Sequence, residues 1–355
     1  SVLLTAIGTT VMFSASSSYA EGFGSSIFFL KRHVIALMIG IGALMYFSGF
    51  NYRNLQILAP WLLGFAFLMV ILGYYFNNTA APSRWLLYSD NRKMITTSDF
   101  MKCGLILFTA SYLAQNRKKI SNSKYLLPLA IYCGFPIFFV MKQPDLSTSM
   151  ALILIIGGLV FISGVRMQYL VYALVPAVGL FMISVIRNPY QLLRLTSWIS
   201  PNSNVSTTNW QSFNAKIALG NGGLIGNGLG DSSMKNGYLP EAHTDFIFSV
   251  IGEELGLIST LIILSLFVWL FLRAIKISQD APNPFGMFLA LGIGLNIAVY
   301  AVINISYVSG LLPTTGLPLP FISYGGTHTI LTLASMGILL NISHAGKIKR
   351  KKSFA

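Results

Sequence analysis

Long runs of apolar residues dominate this sequence, and they favour membrane-spanning helices over any soluble fold. About 20 mostly apolar residues cross the hydrocarbon core of a bilayer as a helix. The sequence contains ten such runs, near 1–16, 33–49, 56–76, 100–115, 125–141, 149–164, 168–186, 245–274, 284–306 and 323–344. We therefore predict an all-α polytopic membrane protein, with one transmembrane domain over 1–355. Residue 1 falls inside the first run, so we expect the natural N-terminus to lie upstream.

Composition agrees with this prediction. Of the 355 residues, 54% are hydrophobic and 10% are charged, whereas soluble domains have about 25% charged residues. Cys103 and Cys133 both lie in apolar runs, so we expect small core side chains and not a disulfide. The net charge of +14 includes a basic tail over about 345–355. A basic tail directly after a span indicates contact with anionic membrane lipids and not with nucleic acid.

Ten spans place both termini on one side, and the basic tail predicts that this side is the cytoplasm. The connections assigned to it are basic, and Asp280 is their only carboxylate. The other nine acids fall in outer connections or in spans near them: Glu21, Asp90, Asp99, Asp145, Asp231, Glu241, Asp245, Glu253 and Glu254. A site for a charged, hydrophilic substrate on the outer face explains this asymmetry. Solvation of long loops is the alternative.

Two connections, about 77–99 and 187–243, are too long to be simple links. The second is predicted to be a large extracytoplasmic loop, and it contains Trp198 and Trp210. These indoles either belong to an interfacial aromatic belt or form a sugar-stacking surface. The loop also carries a glycine run over 222–230, whose backbone N–H groups could approach phosphate oxygens. A flexible loop is the other interpretation, because the run lacks the context of a dinucleotide fingerprint.

The end of this loop brings polar residues to the mouth of the eighth span. His243, Thr244 and Asp245 come just before the apolar run begins. Either Thr244 or Asp245 caps the following helix, or the three form part of a site near the outer water interface. Glu253 and Glu254 lie two turns further in, where ionisable groups are costly and are usually paired or functional. On an ideal helix only one of them shares the face of Asp245. We expect the other to pair with a cation, for which Lys102 is the candidate.

Two further segments interrupt the apolar pattern. The stretch 310–326 has three prolines and repeated glycines, which exclude a continuous helix. Broken backbone at membrane depth lines a cavity or is buried in protein, so this stretch is either a cavity wall or a re-entrant turn. In the second segment, Lys142-Gln-Pro-Asp-Leu-Ser-Thr148, Asp145 either caps the next helix or belongs to the site.

Taken together and in order, these segments resemble the SEDS family of shape, elongation, division and sporulation proteins. The resemblance covers essentially the whole chain, and Phe13-Ser-Ala-Ser16 is closer to the FtsW branch than to the RodA branch. The segments that carry it are Gln143-Pro-Asp-Leu146, the run 222–230, Leu239-Pro-Glu-Ala-His-Thr-Asp-Phe-Ile-Phe248, Gly252-Glu-Glu-Leu-Gly256 and Gly316-Leu-Pro-Leu-Pro-Phe-Ile-Ser-Tyr-Gly-Gly326.

One stretch departs from the family pattern. Family members commonly have Gln-Pro-Ser-Glu, followed by a lysine four residues after the serine, at the start of the fourth span. Here the stretch is Thr96-Thr-Ser-Asp-Phe-Met-Lys102. Ser98 and Lys102 keep their places, Asp99 replaces the glutamate, and the proline is absent. The role of the family's lysine is therefore assigned to Lys102, whereas the loop geometry of the family is not assumed for this chain.

The resemblance implies a peptidoglycan glycosyltransferase of the bacterial cytoplasmic membrane. Such an enzyme polymerises lipid II, an undecaprenyl-diphosphate-linked disaccharide peptide, at the outer face. It works with a class B penicillin-binding protein, which is a transpeptidase, and with other divisome or elongasome proteins. The FtsW branch implies a role in cell division. The essential aspartate of the family maps onto Asp245.

This reaction requires two kinds of group. A base must take the proton of the acceptor hydroxyl, and positive charge must stabilise the leaving diphosphate. We predict Asp245 as the base and Lys102, Arg84 or Lys216 on the phosphate side. Further substrate-binding candidates are His243, Thr244, Glu253 and Ser323. A divalent cation, Mg²⁺ or Mn²⁺, could share the phosphate role, but no cluster has the spacing of metal ligands, so no metal site is assigned.

Two other functions are compatible with the same residues. Intramembrane charges and proline breaks also mark transport paths, so a lipid II flippase is one alternative. A non-catalytic divisome scaffold is the other. A carboxylate at the outer mouth of a span favours the enzyme, because a transporter is expected to hold its substrate near the midplane.

Overall fold

The computed structural model describes residues 1–22, 25–75, 85–86, 95–120, 122–143, 145–200, 207–235 and 237–353. Within these residues the chain forms twelve helices and one antiparallel pair of short strands. In chain order the elements are α1 (Val2–Glu21), α2 (Phe28–Gly49), α3 (Arg53–Tyr75), β1 (Trp85–Leu86), β2 (Ile95–Thr96), α4 (Thr97–Gln115), α5 (Ser123–Lys142), α6 (Leu146–Ile162), α7 (Met167–Arg187), α8 (Pro189–Ile199), α9 (Thr207–Asn221), α10 (Ile247–Gln279), α11 (Pro284–Val308) and α12 (Gly326–Ser353).

The helical, multi-pass architecture predicted from the apolar runs is confirmed. In the described part of the chain, seven helices are long and apolar enough to cross a membrane, namely α2, α3, α5, α7, α10, α11 and α12. The apolar stretch Val2–Ser17 of α1 and the helix α6 are shorter. The remaining predicted span, the fourth at 100–115, coincides with α4, which carries Asp99 and Lys102. The number of ten spans stays a prediction. The pairing of β1 with β2 was not predicted.

Short polar side chains define where several helices begin. The side chain of Asn122 accepts a hydrogen bond from the backbone N–H of Lys124 at the start of α5. Asn188 does the same for Tyr190 at the start of α8. Such caps satisfy backbone donors that have no partner inside the helix. Asp145 caps α6 by accepting from the N–H of Thr148 at 3.2 Å, so the predicted capping role of Asp145 is confirmed.

The long connection over 187–243 contains two helices, α8 and α9. The indole N–H of Trp198, at the end of α8, donates a 3.0 Å hydrogen bond to the carbonyl of Gly310. This hydrogen bond therefore links the connection to the segment that follows α11. An interfacial belt alone does not account for that contact.

The chain divides into two compact units, and each is described by itself. The first comprises Ser1–Met38, Met182–Leu270 and Tyr300–Thr329. In it, α1 lies so close to the segment before α12 that a Cβ on Gly8 would come within 2.6 Å of the Ile322 Cα. Every predicted site residue in the range 182–329 falls in this unit.

The second unit comprises Ile39–Phe181, Phe271–Val299 and Ile330–Ala355. Here α3 packs along α4, and a Cβ on Gly104 would lie 3.3 Å from the carbonyl oxygen of Leu62. Both cysteines are in this unit and are free thiols, as predicted.

Candidate active site

Asp245 lies in a tight turn just before α10 and not in the helix itself. The carbonyl of Glu241, a residue with a φ of 57°, accepts hydrogen bonds from the N–H groups of Thr244, Asp245 and Phe246 at 3.1, 3.2 and 3.4 Å. The carboxylate of Asp245 is half-buried. Our placement of Asp245 and Glu253 on a common helical wheel was wrong, because α10 begins only at Ile247.

Two side chains of α11 hold the backbone of this turn. The amide nitrogen of Asn304 donates to the carbonyl of Asp245 at 3.0 Å and to the carbonyl of Leu317 at 2.7 Å. The hydroxyl of Tyr307, one turn further along α11, is within 2.7 and 3.1 Å of the same two carbonyls. Both side chains are fully buried. They connect the Asp245 turn to the proline-rich segment at two shared points.

The segment 309–325 is not helical, as its prolines and glycines predicted. It runs directly beside the predicted base. Gly316 has a φ of 76°, and a Cβ added there would lie 3.1 Å from Oδ2 of Asp245. The segment therefore lies beside the predicted base, and its role as the wall of a substrate cavity stays a prediction.

His243 and Thr244 have different surroundings, although they are adjacent in sequence. The ring of His243 is buried among the rings of Phe29, Tyr19 and Tyr324, at centroid distances of 4.6, 5.7 and 5.6 Å. Thr244 is partly exposed, and its hydroxyl donates to the carboxylate of Glu241 at 2.9 Å.

Ser323 is buried and closes a turn of the proline-rich segment. Its hydroxyl oxygen accepts from the N–H of Leu319 at 2.8 Å, and its own N–H donates to the Leu319 carbonyl at 3.0 Å. These two bonds shape the segment that passes Asp245. A contact between Ser323 and substrate stays a prediction.

Two cations border the same segment. Lys216 on α9 is exposed, and a Cβ on Gly310 would lie 2.9 Å from its ammonium nitrogen. Arg194 on α8, which the sequence analysis did not select, donates from Nη1 to the carbonyl of Thr314 at 3.0 Å. Thr314 lies two residues before Gly316, which borders the carboxylate of Asp245. Positive charge therefore lies near the predicted base within the first unit.

The two glutamates of α10 bind the loop that precedes the Asp245 turn. Both oxygens of Glu253 accept hydrogen bonds from 232–234, including those from the hydroxyls of Ser232 and Ser233. Glu254 pairs with Lys235 at 2.9 Å and accepts from the hydroxyl of Ser14 at 2.6 Å. The prediction that a cation pairs with one glutamate is confirmed. The choice of Lys102 was wrong, since the cation is Lys235.

The glycine run packs against a break in α10. The break lies at Gly256, whose φ of 75° and ψ of −178° are not helical. The N–H groups of Asn227 and Gly228 donate to the carbonyls of Glu253 and Glu254, both at 3.0 Å. In return, the N–H groups of residues 257 and 258 donate to the carbonyls of Gly223 and Leu224, at 3.0 and 3.2 Å.

In an unbroken helix the two N–H groups beyond Gly256 would bond to the carbonyls of Glu253 and Glu254. The glycine run supplies substitute partners on both sides of the break. The run is therefore held against α10 by backbone hydrogen bonds although most of its residues are exposed, which corrects the flexible-loop interpretation. Because the N–H groups of Asn227 and Gly228 are already engaged, those two donors are not free for phosphate.

Lys102 belongs to the second unit and forms a buried polar network at the start of α4. Its ammonium lies 3.0 Å from Oδ1 of Asp99. The hydroxyl of Ser98 donates to Oδ2 of Asp145 at 2.9 Å. The amide of Gln143 donates to the carbonyl of Val70 at 2.7 Å. Lys102 is 1% exposed, so its charge is held inside this unit and is paired at least with Asp99.

Arg84, the remaining predicted phosphate ligand, lies outside the described residues, as does Asp90. Within the part of the chain that the structure describes, no three His, Cys, Asp or Glu side chains are grouped closely enough to hold a metal ion.

Four residues near the candidate site were not predicted from the sequence: Asn304, Tyr307, Lys235 and Arg194. A signal existed for the first two, because a polar pair at i and i+3 in an apolar run shares one helix face. Lys235 gave no such signal, since a lysine in a long polar loop looks solvated.

Comparison with known proteins identifies relatives along nearly the full chain. Residues 1–348 match the family model for FtsW, RodA and SpoVE, described as cell cycle protein. The probable peptidoglycan glycosyltransferase FtsW of Geobacter sulfurreducens (strain ATCC 51573 / DSM 12127 / PCA) is 36% identical over 347 residues, which cover 96% of this chain and 92% of the relative. Stage V sporulation protein E of Bacillus subtilis (strain 168) is 34% identical over 351 residues, with 96% and 94% covered.

Solved structures have the same fold. One, described as "Structural coordination of polymerization and crosslinking by a peptidoglycan synthase complex", matches with a TM-score of 0.75 at 23% identity over 97% of each chain. The crystal structure of the rod shape determining protein RodA of Thermus thermophilus matches with a TM-score of 0.68 at 24% identity. That match covers 97% of this chain and 95% of RodA.

Proposed function

Because this chain belongs to the FtsW, RodA and SpoVE family of cell cycle proteins, we propose that it is a peptidoglycan glycosyltransferase that polymerises lipid II. Relatives that are 36% identical carry the name of that activity. The family match over 1–348 is the observation that carries the proposal. The FtsW relatives also support a role in cell division.

We propose Asp245 as the general base of the reaction. A base must reach the proton of the acceptor sugar hydroxyl while its own position is fixed. Two observations support this role: Asp245 is only half-buried, and Asn304 and Tyr307 bind the backbone carbonyl of the same residue. In this mechanism Asp245 removes the acceptor proton as the acceptor oxygen attacks the anomeric carbon of the donor. The bond from that carbon to the diphosphate breaks, and the diphosphate leaves with the electron pair.

The leaving diphosphate gains negative charge as that bond breaks, so cations near it lower the barrier. We propose Lys216 for this role, with Arg194 as a second candidate, because both border the segment that passes Asp245. Lys102 and Arg84 are retained as proposed phosphate ligands on the family resemblance, as are His243, Thr244, Glu253 and Ser323 as substrate contacts. Mg²⁺ or Mn²⁺ is a further source of positive charge, without an assigned site.

We propose ten spans, with both termini in the cytoplasm and the Asp245 turn on the outer side. The basic residues of the connections and of the tail support this orientation. It puts α8 and α9 in the large extracytoplasmic connection over 187–243. In that orientation the disaccharide of lipid II and the carboxylate of Asp245 are on the same side of the membrane.

We propose a class B penicillin-binding protein as the partner, together with other divisome or elongasome proteins. The solved structure with the TM-score of 0.75 is described as a peptidoglycan synthase complex that coordinates polymerisation and crosslinking. The likeness in fold supports a comparable assembly.

The test is glycan polymerisation from lipid II by the purified chain with its cognate transpeptidase, comparing wild type, Asp245→Asn and Asp231→Asn. Asp231 is an exposed carboxylate of the same unit, so its substitution is a matched control. We expect polymer from wild type and from Asp231→Asn, and a loss of at least about 100-fold for Asp245→Asn, as for removal of a general base.

Equal polymer from wild type and Asp245→Asn would exclude Asp245 as the base and leave the enzyme proposal intact. No polymer from a well-assembled wild-type complex would instead favour the flippase or the scaffold. Lipid II translocation in vesicles then separates those two functions.

A further inference from the structure

An open pocket of about 580 Å³ lies in the second unit, among residues that the proposed reaction does not use. It is formed by the connection between α4 and α5, the first turn of α5 and the start of α7. Its volume falls within the range of about 300–1,000 Å³ that is typical of small-molecule sites. The lining residues are Lys118, Lys119, Asn122, Tyr125, Arg166 and Tyr169.

Three of the six lining residues are cations, and none is an acid. Lys118, Lys119 and Arg166 are all exposed. The ion pairs among the described residues are Lys102 with Asp99 and Lys235 with Glu254, so none of them neutralises these three charges. Three like charges converging on one pocket repel one another, and a bound anion removes that repulsion.

The neutral lining residues indicate what kind of anion fits. Two tyrosines and an asparagine supply hydrogen-bond donors and aromatic surface beside the cations. The ammonium of Lys119 already lies 5.6 Å from the ring centroid of Tyr125. A phosphodiester with an apolar remainder uses all of these groups, whereas free phosphate uses only the charges.

Apolar surface continues from the pocket along the two helices that form it. On α5, Tyr132 lies two turns after Tyr125 on the same helix face and is 55% exposed. On α7, Tyr172 lies one turn after Tyr169, is 69% exposed, and contacts the Tyr169 ring edge-on at 6.5 Å. Exposed apolar side chains of spanning helices face lipid tails. A ligand with a charged head and long acyl chains can therefore occupy the pocket and this surface together.

We propose that this pocket binds the headgroup of an anionic phospholipid, with the cations on its phosphate oxygens and its acyl chains along α5 and α7. Basic pockets between membrane helices on the cytoplasmic side bind such headgroups. The pocket residues belong to connections with the basic composition expected of that side. The proposal concerns lipid binding and does not depend on the assignment of Asp245.

The test is native mass spectrometry of the full chain, purified in neutral detergent and titrated with cardiolipin, phosphatidylglycerol or zwitterionic phosphatidylcholine. The pocket variant is Lys118→Gln/Lys119→Gln/Arg166→Gln. The matched control is Arg53→Gln/Arg273→Gln/Lys276→Gln, which removes the same charge from exposed cations outside the pocket and the basic tail. Each cation contributes separately to the binding free energy of an anionic headgroup. We therefore expect the pocket variant to bind both anionic lipids at least about tenfold more weakly. The control should bind them like wild type.

Three outcomes would overturn the proposal. In the first, the pocket variant binds anionic lipid like wild type. In the second, both variants lose affinity equally, which indicates general charge attraction. In the third, phosphatidylcholine binds as tightly as the anionic lipids. Competition by glycerol phosphate and by inorganic phosphate distinguishes the ligand source. We expect neither to displace the lipid, and full displacement by either would show a site for a free anion.

Thermal unfolding in phosphatidylcholine shows whether the pocket variant is folded. If it is not, Arg166→Gln alone replaces it, with Arg53→Gln as its control. The same comparison then applies with one charge removed, and an unchanged preference for anionic lipid in Arg166→Gln would again contradict the proposal.

Discussion

The side-chain amide of Asn304 donates a 3.0 Å hydrogen bond to the backbone carbonyl of Asp245. The same nitrogen reaches the carbonyl of Leu317 at 2.7 Å. One buried side chain of α11 thus fixes the turn that carries the proposed base and the segment that passes beside its carboxylate. Asn304, together with Tyr307, holds these two polypeptide segments at a fixed distance from each other.

Replacing Asn304 with leucine should therefore reduce catalysis more than substrate binding. Leucine has a similar size but no donor, so two buried carbonyls lose a partner, at about 1–3 kcal/mol each. We expect kcat to fall about 10- to 100-fold with little change in KM, because the loss displaces the base. Asn296→Leu on the same helix, also buried, is the control. Similar losses of kcat in both variants would mean that only general damage to α11 is being measured.

Gly316→Ala should impair the reaction by crowding the base. The added Cβ would lie 3.1 Å from Oδ2 of Asp245, so the carboxylate must move. Gly164→Ala is the matched control, since Gly164 has a similar positive φ of 85° and open space around it. Both variants carry backbone strain of about 1–2 kcal/mol. In lipid II polymerisation we expect a loss of about tenfold or more in the first only, and equal activity of the two would argue against close packing at Gly316.

The ion pair of Lys235 with Glu254 should be strongly coupled, because both side chains are buried. Lys235→Met leaves an unpaired buried carboxylate, which costs about 3–5 kcal/mol. Adding Glu254→Gln removes that charge, so we expect the double variant to melt at a higher temperature than Lys235→Met alone. Thermal unfolding of wild type, both single variants and the double variant measures the coupling. Strictly additive losses would contradict it.

Gly256→Ala should disrupt the fold of α10. Its φ of 75° disfavours any side chain, and a Cβ would come 2.4 Å from the backbone nitrogen of Gly226. The glycine run would have to separate from the break and leave backbone groups unpaired. We expect poor yield or a loss of stability of at least about 3 kcal/mol. Gly134→Ala, in the interior of α5 with open space around it, should be neutral or slightly stabilising, and size-exclusion profiles with melting curves compare the two.

Features with a local cause were predicted from the sequence. An apolar run of about 20 residues specifies a spanning helix by its own length, so each predicted span coincides with a helix. The proline-rich segment 310–326 excludes a helix by its own residues. The position of Asp245 at the mouth of a span was predicted from the run that follows it, whereas its role as the base came from the family resemblance.

Features that depend on distant partners were not predicted. A single glycine in a helix costs only about 1 kcal/mol, so nothing adjacent to Gly256 signals a break. The break forms because the glycine run, about thirty residues earlier, provides substitute backbone partners. Lys235 is similar, since its burial depends on Ser14 from α1 and Glu254 from α10. The spacing of residues along the chain does not reveal contacts between segments that are so far apart in sequence.

The pairing at Gly256 also has a consequence for how the protein is made. The ribosome synthesises residues 222–228 before it synthesises α10, so the partners of the broken helix already exist when that helix emerges. The two halves of α10 reach full hydrogen bonding only after the earlier segment lies beside the break. Assembly of this region is thus tied to the direction of translation. A circular permutation that moves 222–228 behind α10 should slow maturation while leaving the finished set of hydrogen bonds the same.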